Sequence, residues 1–200
     1  MIVTYDFSNT SNYGEIQEVL KELDIGVLIN NVGISYGTIA SFHELDIEKI
    51  VQIMNVNMIS DVRMTHIVQK GMMERKRGAI VHISSGSIYL VAARLNVYPA
   101  CKLFMQKFTE SLMLECQGIV DHQLVSPMYV ESNLSKMKAG FTIPSAKHYV
   151  SYALRTIGIT GDTCGYPTHE LIYLILSNIP VFVSQWAYML HRSLRRPKNN

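Results

Sequence analysis

The stretch AIVHISS, residues 79–85, is mainly apolar on both of its alternating faces and ends in two serines. That reads as a strand buried on both sides, as in a parallel sheet lying between two layers of helix. Just upstream, Lys76, Arg77 and Gly78 make a turn, and residues 46–73 carry apolar side chains at helical spacing for most of their length. Further back, IGVLINN (25–31) is a second continuous apolar run ending in polar residues. Downstream come a loop, a helix near 97–117, the strand HQLVSP (122–127) stopped by Pro127, and a helix near 145–158. Ile2 to Phe7 reads as one more strand. The βαβα rhythm predicts an α/β fold built on a parallel sheet.

Composition narrows the class. Two hundred residues suffice for one domain with a sizeable core, and 48% apolar against 17% charged residues describes a globular chain. A net charge of +2, with no helix-turn-helix, zinc-finger or RNA-binding motif, gives nucleic acid no purchase. Cys101, Cys116 and Cys164 fit no metal or redox spacing. Their odd number, with no signal peptide, predicts reduced thiols on the cytosolic side of a membrane, acting as small core residues. His82 and His122 show no ligand spacing and read as strand residues.

Open parallel sheets bind ligands at the carboxyl ends of their strands. Here those ends are Asp6-Phe7-Ser8, Asn30-Asn31-Val32-Gly33, Ser84-Ser85-Gly86 and Ser126-Pro127. Each is an ordinary turn sequence by itself; together they give one edge a shared polar character. NVYPACKLF (96–104) then places Tyr98 and Lys102 four positions apart, on one face of a helix. The pair is either an acid-base couple or two polar residues on a wet face, and the spacing alone does not decide between them.

These motifs, in this order, resemble the short-chain dehydrogenase/reductases. NNVG (30–33) is similar to the family's Asn-Asn-Ala-Gly segment, and NVNM (55–58) to the helix that carries its catalytic asparagine, here Asn57. ISSGS (83–87) matches the serine strand, with Ser85 thirteen residues before Tyr98, and Tyr98 with Lys102 matches Tyr-x-x-x-Lys. SPMYVESNLS (126–135) resembles the segment that closes over the nicotinamide, with Met128 in place of a glycine and Ser132 in place of a threonine. YDFS (5–8), GVLINNVG (26–33), GAIVHISSGS (78–87) and TIGITGDTCGYPTHELI (156–172) narrow the likeness to the subgroup holding the 17β-hydroxysteroid dehydrogenases of types 3 and 12, the latter also a very-long-chain 3-oxoacyl-CoA reductase. The subgroup includes an inactive branch in which a phenylalanine commonly replaces the catalytic tyrosine; Tyr98 is present here.

The resemblance implies a Rossmann-like doubly wound parallel sheet and an NADP(H)-dependent reduction of a lipid ketone, either a 3-oxoacyl-CoA or a 17-ketosteroid. Asn57, Ser85, Tyr98 and Lys102 would be catalytic. Asp6, Asn31, Gly33, Tyr98, Lys102, Pro127, Val130 and Ser132 would contact the cofactor, with Asp6 near the adenine and Asn31 and Gly33 near the adenosine ribose. No metal is implied. Free tyrosine titrates near ~10, and a cation one turn away, Lys102, is expected to lower that value. Pro99 suits the first turn of the helix.

One family feature is missing: residues 1–200 contain no Thr-Gly-x-x-x-Gly-x-Gly turn. Aligned by resemblance, Met1 falls at the family's third strand, so the sheet is expected to lack its first β-α-β elements. Cofactor binding by this chain is then in doubt, strand 25–31 becomes an open apolar edge, and the chain reads as a fragment, a mis-started gene model or a truncated isoform. On that view the alternative function is an inactive lipid- or protein-binding module. A one-residue deletion near Gly118 would only shorten a surface loop. Residues 1–165 read as the partial Rossmann domain and 166–200 as a hydrophobic extension. Within it, 171–190 carry no charge and are followed by basic residues, which suits either membrane association or a buried substrate cover. Arg94 reads as a solvated loop residue rather than a phosphate contact. Implied partners are the lipid ketone or acyl-CoA, a membrane and a second copy in a homodimer. The implied location is the cytosolic face of the endoplasmic reticulum, with mitochondrion or cytoplasm as alternatives.

Overall fold

The computed structural model describes residues 1–36, 40–91, 93–178, 180 and 183. Four parallel strands stand in chain order: β1 (Val27–Asn30), β2 (Ala79–Ile83), β3 (Asp121–Val125) and β4 (Asp162–Thr163). Asn30 lies opposite His82, and His82 opposite Leu124, so the carboxyl ends of β1, β2 and β3 share one edge. The helices are α1 (Tyr13–Leu20), α2 (Ile47–Met54), α3 (Ser60–Arg75), α4 (Val97–Glu115), α5 (Ala146–Ala153) and α6 (Pro167–Ser177).

Neighbouring residues of β2 show why the sheet needs a layer on each face. Ile80 packs with Val68 and Met72 of α3 and with Cys116 and Val120. The next residue, Val81, points the opposite way and packs with Val125 and with Tyr149 of α5. Local signals set the element ends. Asp46 caps α2 by accepting from the Glu48 amide, and Ser145 caps α5. At φ 77° Gly118 turns the chain from α4 into β3. All three cysteines are buried and free.

The structure departs from the sequence reading at four places. Residues 2–7 form no strand: among the described residues nothing pairs with them, and a strand exists only through its ladder. The long helix over 46–73 is divided by a π-helical segment, Asn55–Ile59. The helix expected to reach 158 ends at Ala153 and tightens into a 3₁₀ turn over Leu154–Thr156. β4, two residues long, is too short for any periodicity to announce it. At the other edge of the sheet, Val27 and Ile29 of β1 are about half exposed. Of the uncharged run 171–190, α6 covers 171–177; most of the remainder, with the basic tail, lies outside the described residues. No helix among the described residues is long and apolar enough to cross a membrane.

Candidate active site

Asn57 is 2% exposed and sits within the π segment. The wide turn is supported by side chains that take up carbonyls at helical spacing. Asn57 Nδ2 donates to the Ile53 carbonyl at 2.8 Å, the Ser60 hydroxyl donates to the Val56 carbonyl at 2.8 Å, and the Ser60 amide reaches back to Asn55. Asn57 also clasps the chain leaving β1, donating to the Ile34 carbonyl at 2.8 Å and accepting from the Ile34 amide at 3.2 Å. Gly33 lies in this clasp: a Cβ there would stand 3.0 Å from Asn57 Oδ1 and 3.8 Å from Lys102 Nζ. Any side chain at 33 would crowd both groups.

Ser85 follows β2 and caps the 3₁₀ turn Gly86–Tyr89, its hydroxyl accepting from the Ser87 amide at 3.1 Å. The neighbouring Ser84 hydroxyl donates to the Lys102 carbonyl at 3.0 Å, which fastens α4 to the end of β2. Lys102 is 5% exposed; its Nζ donates to the Ile83 carbonyl at 2.7 Å and stands 5.9 Å from the centre of the Tyr98 ring. Burial pulls the Lys102 ammonium down to about 8, while the Asp61 carboxylate opposes that fall. Tyr98 moves in the direction opposite to the one expected. Burial raises its phenol above the ordinary value, a hydrogen bond with Ser85 pulls it down, and the net direction is up. The lysine expected to lower it stands 5.9 Å from the ring centre and does not reverse the direction.

The structure thus gathers Gly33, Asn57 and Lys102 on one side and Ser85 and Tyr98 on the other. Pro127 joins them, its carbonyl accepting from the Gly86 amide at 2.7 Å. Met128, where the family pattern has glycine, lays its sulfur where a side chain on residue 86 would stand, 2.1 Å from that Cβ position. The other expected cofactor residues are not drawn in. Asp6 is exposed and turned onto the Ser8 amide, which lowers its carboxyl below the usual range. Asn31 is exposed, Val130 packs toward α5, and Ser132 is exposed and paired with Ser135.

Two features had no visible signal in the sequence. The Tyr36 hydroxyl accepts from the Val97 amide at 2.6 Å and lies 3.3 Å from the Tyr98 amide, which steadies the start of α4 from sixty residues away. Beneath the same corner, Asp61 Oδ1 meets Asn30 Nδ2 at 3.0 Å and His82 Nδ1 at 2.7 Å, and His82 Nε2 lies 3.3 Å from His122 Nδ1. Contacts spanning 21 to 62 positions leave no periodic trace.

Likeness to known proteins bears on the family and the fold. A family model described as short chain dehydrogenase matches residues 2–140. The human inactive hydroxysteroid dehydrogenase-like protein 1 is 36% identical over 204 residues, covering 98% of this chain and 62% of that protein. The human very-long-chain 3-oxoacyl-CoA reductase is 37% identical over 191 residues, covering 94% of this chain and 60% of that protein. The chain therefore spans about three fifths of the length of the curated relatives it matches. A 7beta-hydroxysteroid dehydrogenase structure superimposes with a TM-score of 0.78 at 21% identity, over 93% of this chain and 75% of its own, a likeness of fold.

Proposed function

The chain belongs to the short-chain dehydrogenase/reductase family, and on that premise we propose that it carries the reacting half of an NADP(H)-dependent reductase of lipid ketones, a 3-oxoacyl-CoA or a 17-ketosteroid. The observation that supports this most is the convergence of Ser85, Tyr98 and Lys102 beside Asn57. Ser85 would hydrogen-bond the substrate carbonyl. Tyr98, its phenol raised by burial, stays protonated at neutral pH and serves as the acid that gives the carbonyl oxygen its proton. Lys102 would hold the nicotinamide ribose with the protons that Ile83 leaves free, and Asn57 would hold a water of the proton relay. NADP(H), when bound, supplies the hydride.

Fit to the cofactor is uneven. Gly33 leaves open the space against Asn57 and Lys102, which suits the nicotinamide ribose side. Asp6, Asn31 and Ser132 are exposed and apart, and residues 1–200 hold no glycine-rich turn for the pyrophosphate. That gap, with the word "inactive" in the names of relatives such as the human one above, favours a second reading: a catalytically silent module that binds lipid or protein.

We place residues 1–165 in the nucleotide-binding domain and 166–200 in a hydrophobic extension. The protein would work at the cytosolic face of the endoplasmic reticulum, paired with a second copy. The test joins residues 1–200 to the amino-terminal segment of a reductase relative and supplies NADPH with a 3-oxoacyl-CoA or a 17-ketosteroid. Turnover is expected. A folded chimera that binds NADPH and turns over neither substrate would favour the silent module.

A further inference from the structure

Asp61 is a buried carboxylate at 6% exposure, in a family site whose chemistry does not call for one. Three donors converge on a single one of its oxygens: Asn30 Nδ2 at 3.0 Å, His82 Nδ1 at 2.7 Å and the Thr65 hydroxyl at 3.4 Å. Its other oxygen takes no hydrogen bond from the described residues. Such one-sided engagement fixes the orientation of the carboxylate while leaving half of its charge unclaimed.

One proton of the network follows from the atoms alone. A carboxylate oxygen only accepts, so His82 carries a proton on Nδ1. His82 Nε2 faces His122 Nδ1 at 3.3 Å, so one of the two donates to the other. His122 Nε2 is buried and has no hydrogen-bond partner among the described residues. Taking up a proton there would bury a charge, and His122 accordingly titrates down at about 4, through burial and through the neighbouring His82. The Nδ1 proton of His82 thus meets the Asp61 carboxylate at one end of this pair of imidazoles, and His122 closes the other.

The position of that anion matters because the last two residues of β2 serve both charges. The His82 side chain holds Asp61, and the carbonyl of Ile83 holds the Lys102 ammonium at 2.7 Å. Asn30, opposite His82 in the sheet, ties Asp61 to the start of the 30–34 strap, whose Gly33 lies against Lys102. The titratable groups bearing on Lys102 are Asp61 from α3 and Cys101 from its own helix, with Tyr98 one turn away.

We propose that Asp61 is a positioning residue of the Ser85–Tyr98–Lys102 site: locked by Asn30, Thr65 and the Nδ1 proton of His82, it docks the strap that follows β1 onto the strand end that also holds Lys102. The Asp61 carboxylate also raises Lys102 against the fall that burial causes. The inference rests on the assignment of Lys102 to the reacting centre, but its test needs no turnover. It can therefore fail while the chimera remains active, or succeed while the chimera is silent.

The experiment uses the full 200-residue chain, with ¹³C detection of the Lys102 side chain and ¹⁵N detection of the imidazoles across a pH titration. Wild type should show His82 protonated on Nδ1; a bare Nδ1 overturns the proposal. In Asp61→Asn the Lys102 midpoint should fall by about one pH unit, the scale of a nearby opposite charge. An unmoved midpoint in that folded variant also overturns it. Should Asp61→Asn fail to fold, His82→Gln keeps the charge but removes its clamp. It should move the midpoint by about half a unit, and no movement there is equally fatal.

Discussion

Two ends of the same sheet edge contrast sharply. At the end of β2 each reacting group is held by others: Ser84 grips the backbone of Lys102, Lys102 grips Ile83, Tyr36 steadies the start of α4, and Asn57 clasps Ile34. Beyond β1, Asp6 turns onto its own loop, Asn31 faces solvent, and Val27 and Ile29 stand half exposed. The first region is preorganised, with its ordering entropy already spent in folding. The second offers isolated groups that a ligand would have to collect. The groups of the candidate site can thus be fixed in place while those proposed for the cofactor are not.

The contrast is broken most directly by titrating residues 1–200 with NADPH by calorimetry or fluorescence. Without several charge-assisted hydrogen bonds at about 1.5–3 kcal/mol each, affinity should lie several orders of magnitude below that of the chimera. A micromolar dissociation constant would show that the open region holds the pyrophosphate after all. Next in size is Tyr98→Phe in the chimera. Turnover should drop about a hundred- to ten-thousand-fold, with NADPH binding intact, and a loss of only a few-fold removes Tyr98 from the chemistry.

Gly33→Ala sharpens the comparison, because it strikes where the two regions meet. The new methyl group lies 3.0 Å from Asn57 Oδ1, so the clasp on Ile34 must give. A loss of about 1–2 kcal/mol in urea unfolding is expected; Gly14→Ala, where a Cβ meets nothing, is the control.

The last effect belongs to pH. His122 titrates near 4 when folded, against an ordinary value of 6.5. Between those values the unfolded chain binds the extra proton. The stability from this residue is therefore whole above about pH 6.5, falls as pH drops, and is fully lost below about 4. His122→Phe should flatten that part of the stability profile, and a profile identical to wild type would show that His122 does not titrate there.

How much of this was legible beforehand depended on the reach of each interaction. Strands 25–31, 79–85 and 122–127 announced themselves through unbroken apolar runs, which two-sided burial imposes. Tyr98 and Lys102 were legible as a pair because one helix carries them, and the family resemblance, not the spacing, joined Ser85 to them. Asp61, His82 and Tyr36 act across the fold on partners 21 to 62 positions away, and no window along the chain holds both members. The strand expected over 2–7 failed for a related reason: its residues favour extension, but a ladder needs a neighbour that local composition does not report.

The π segment over Asn55–Ile59 carries a consequence for how this site can be lost or gained. A wide turn holds one residue more than the α-helical period needs. Deleting a single residue there, Met58 for example, would restore a regular helix whose flanking turns keep their faces, and only the residues of the wide turn itself would lose their place. The buried face of α3, with Val68 and Met72, would keep its place on the sheet, while Asn57 swung away from Ile34. One codon thus separates a chain that folds and presents this asparagine from one that folds and does not, and the two could diverge from each other without either passing through an unfolded ancestor.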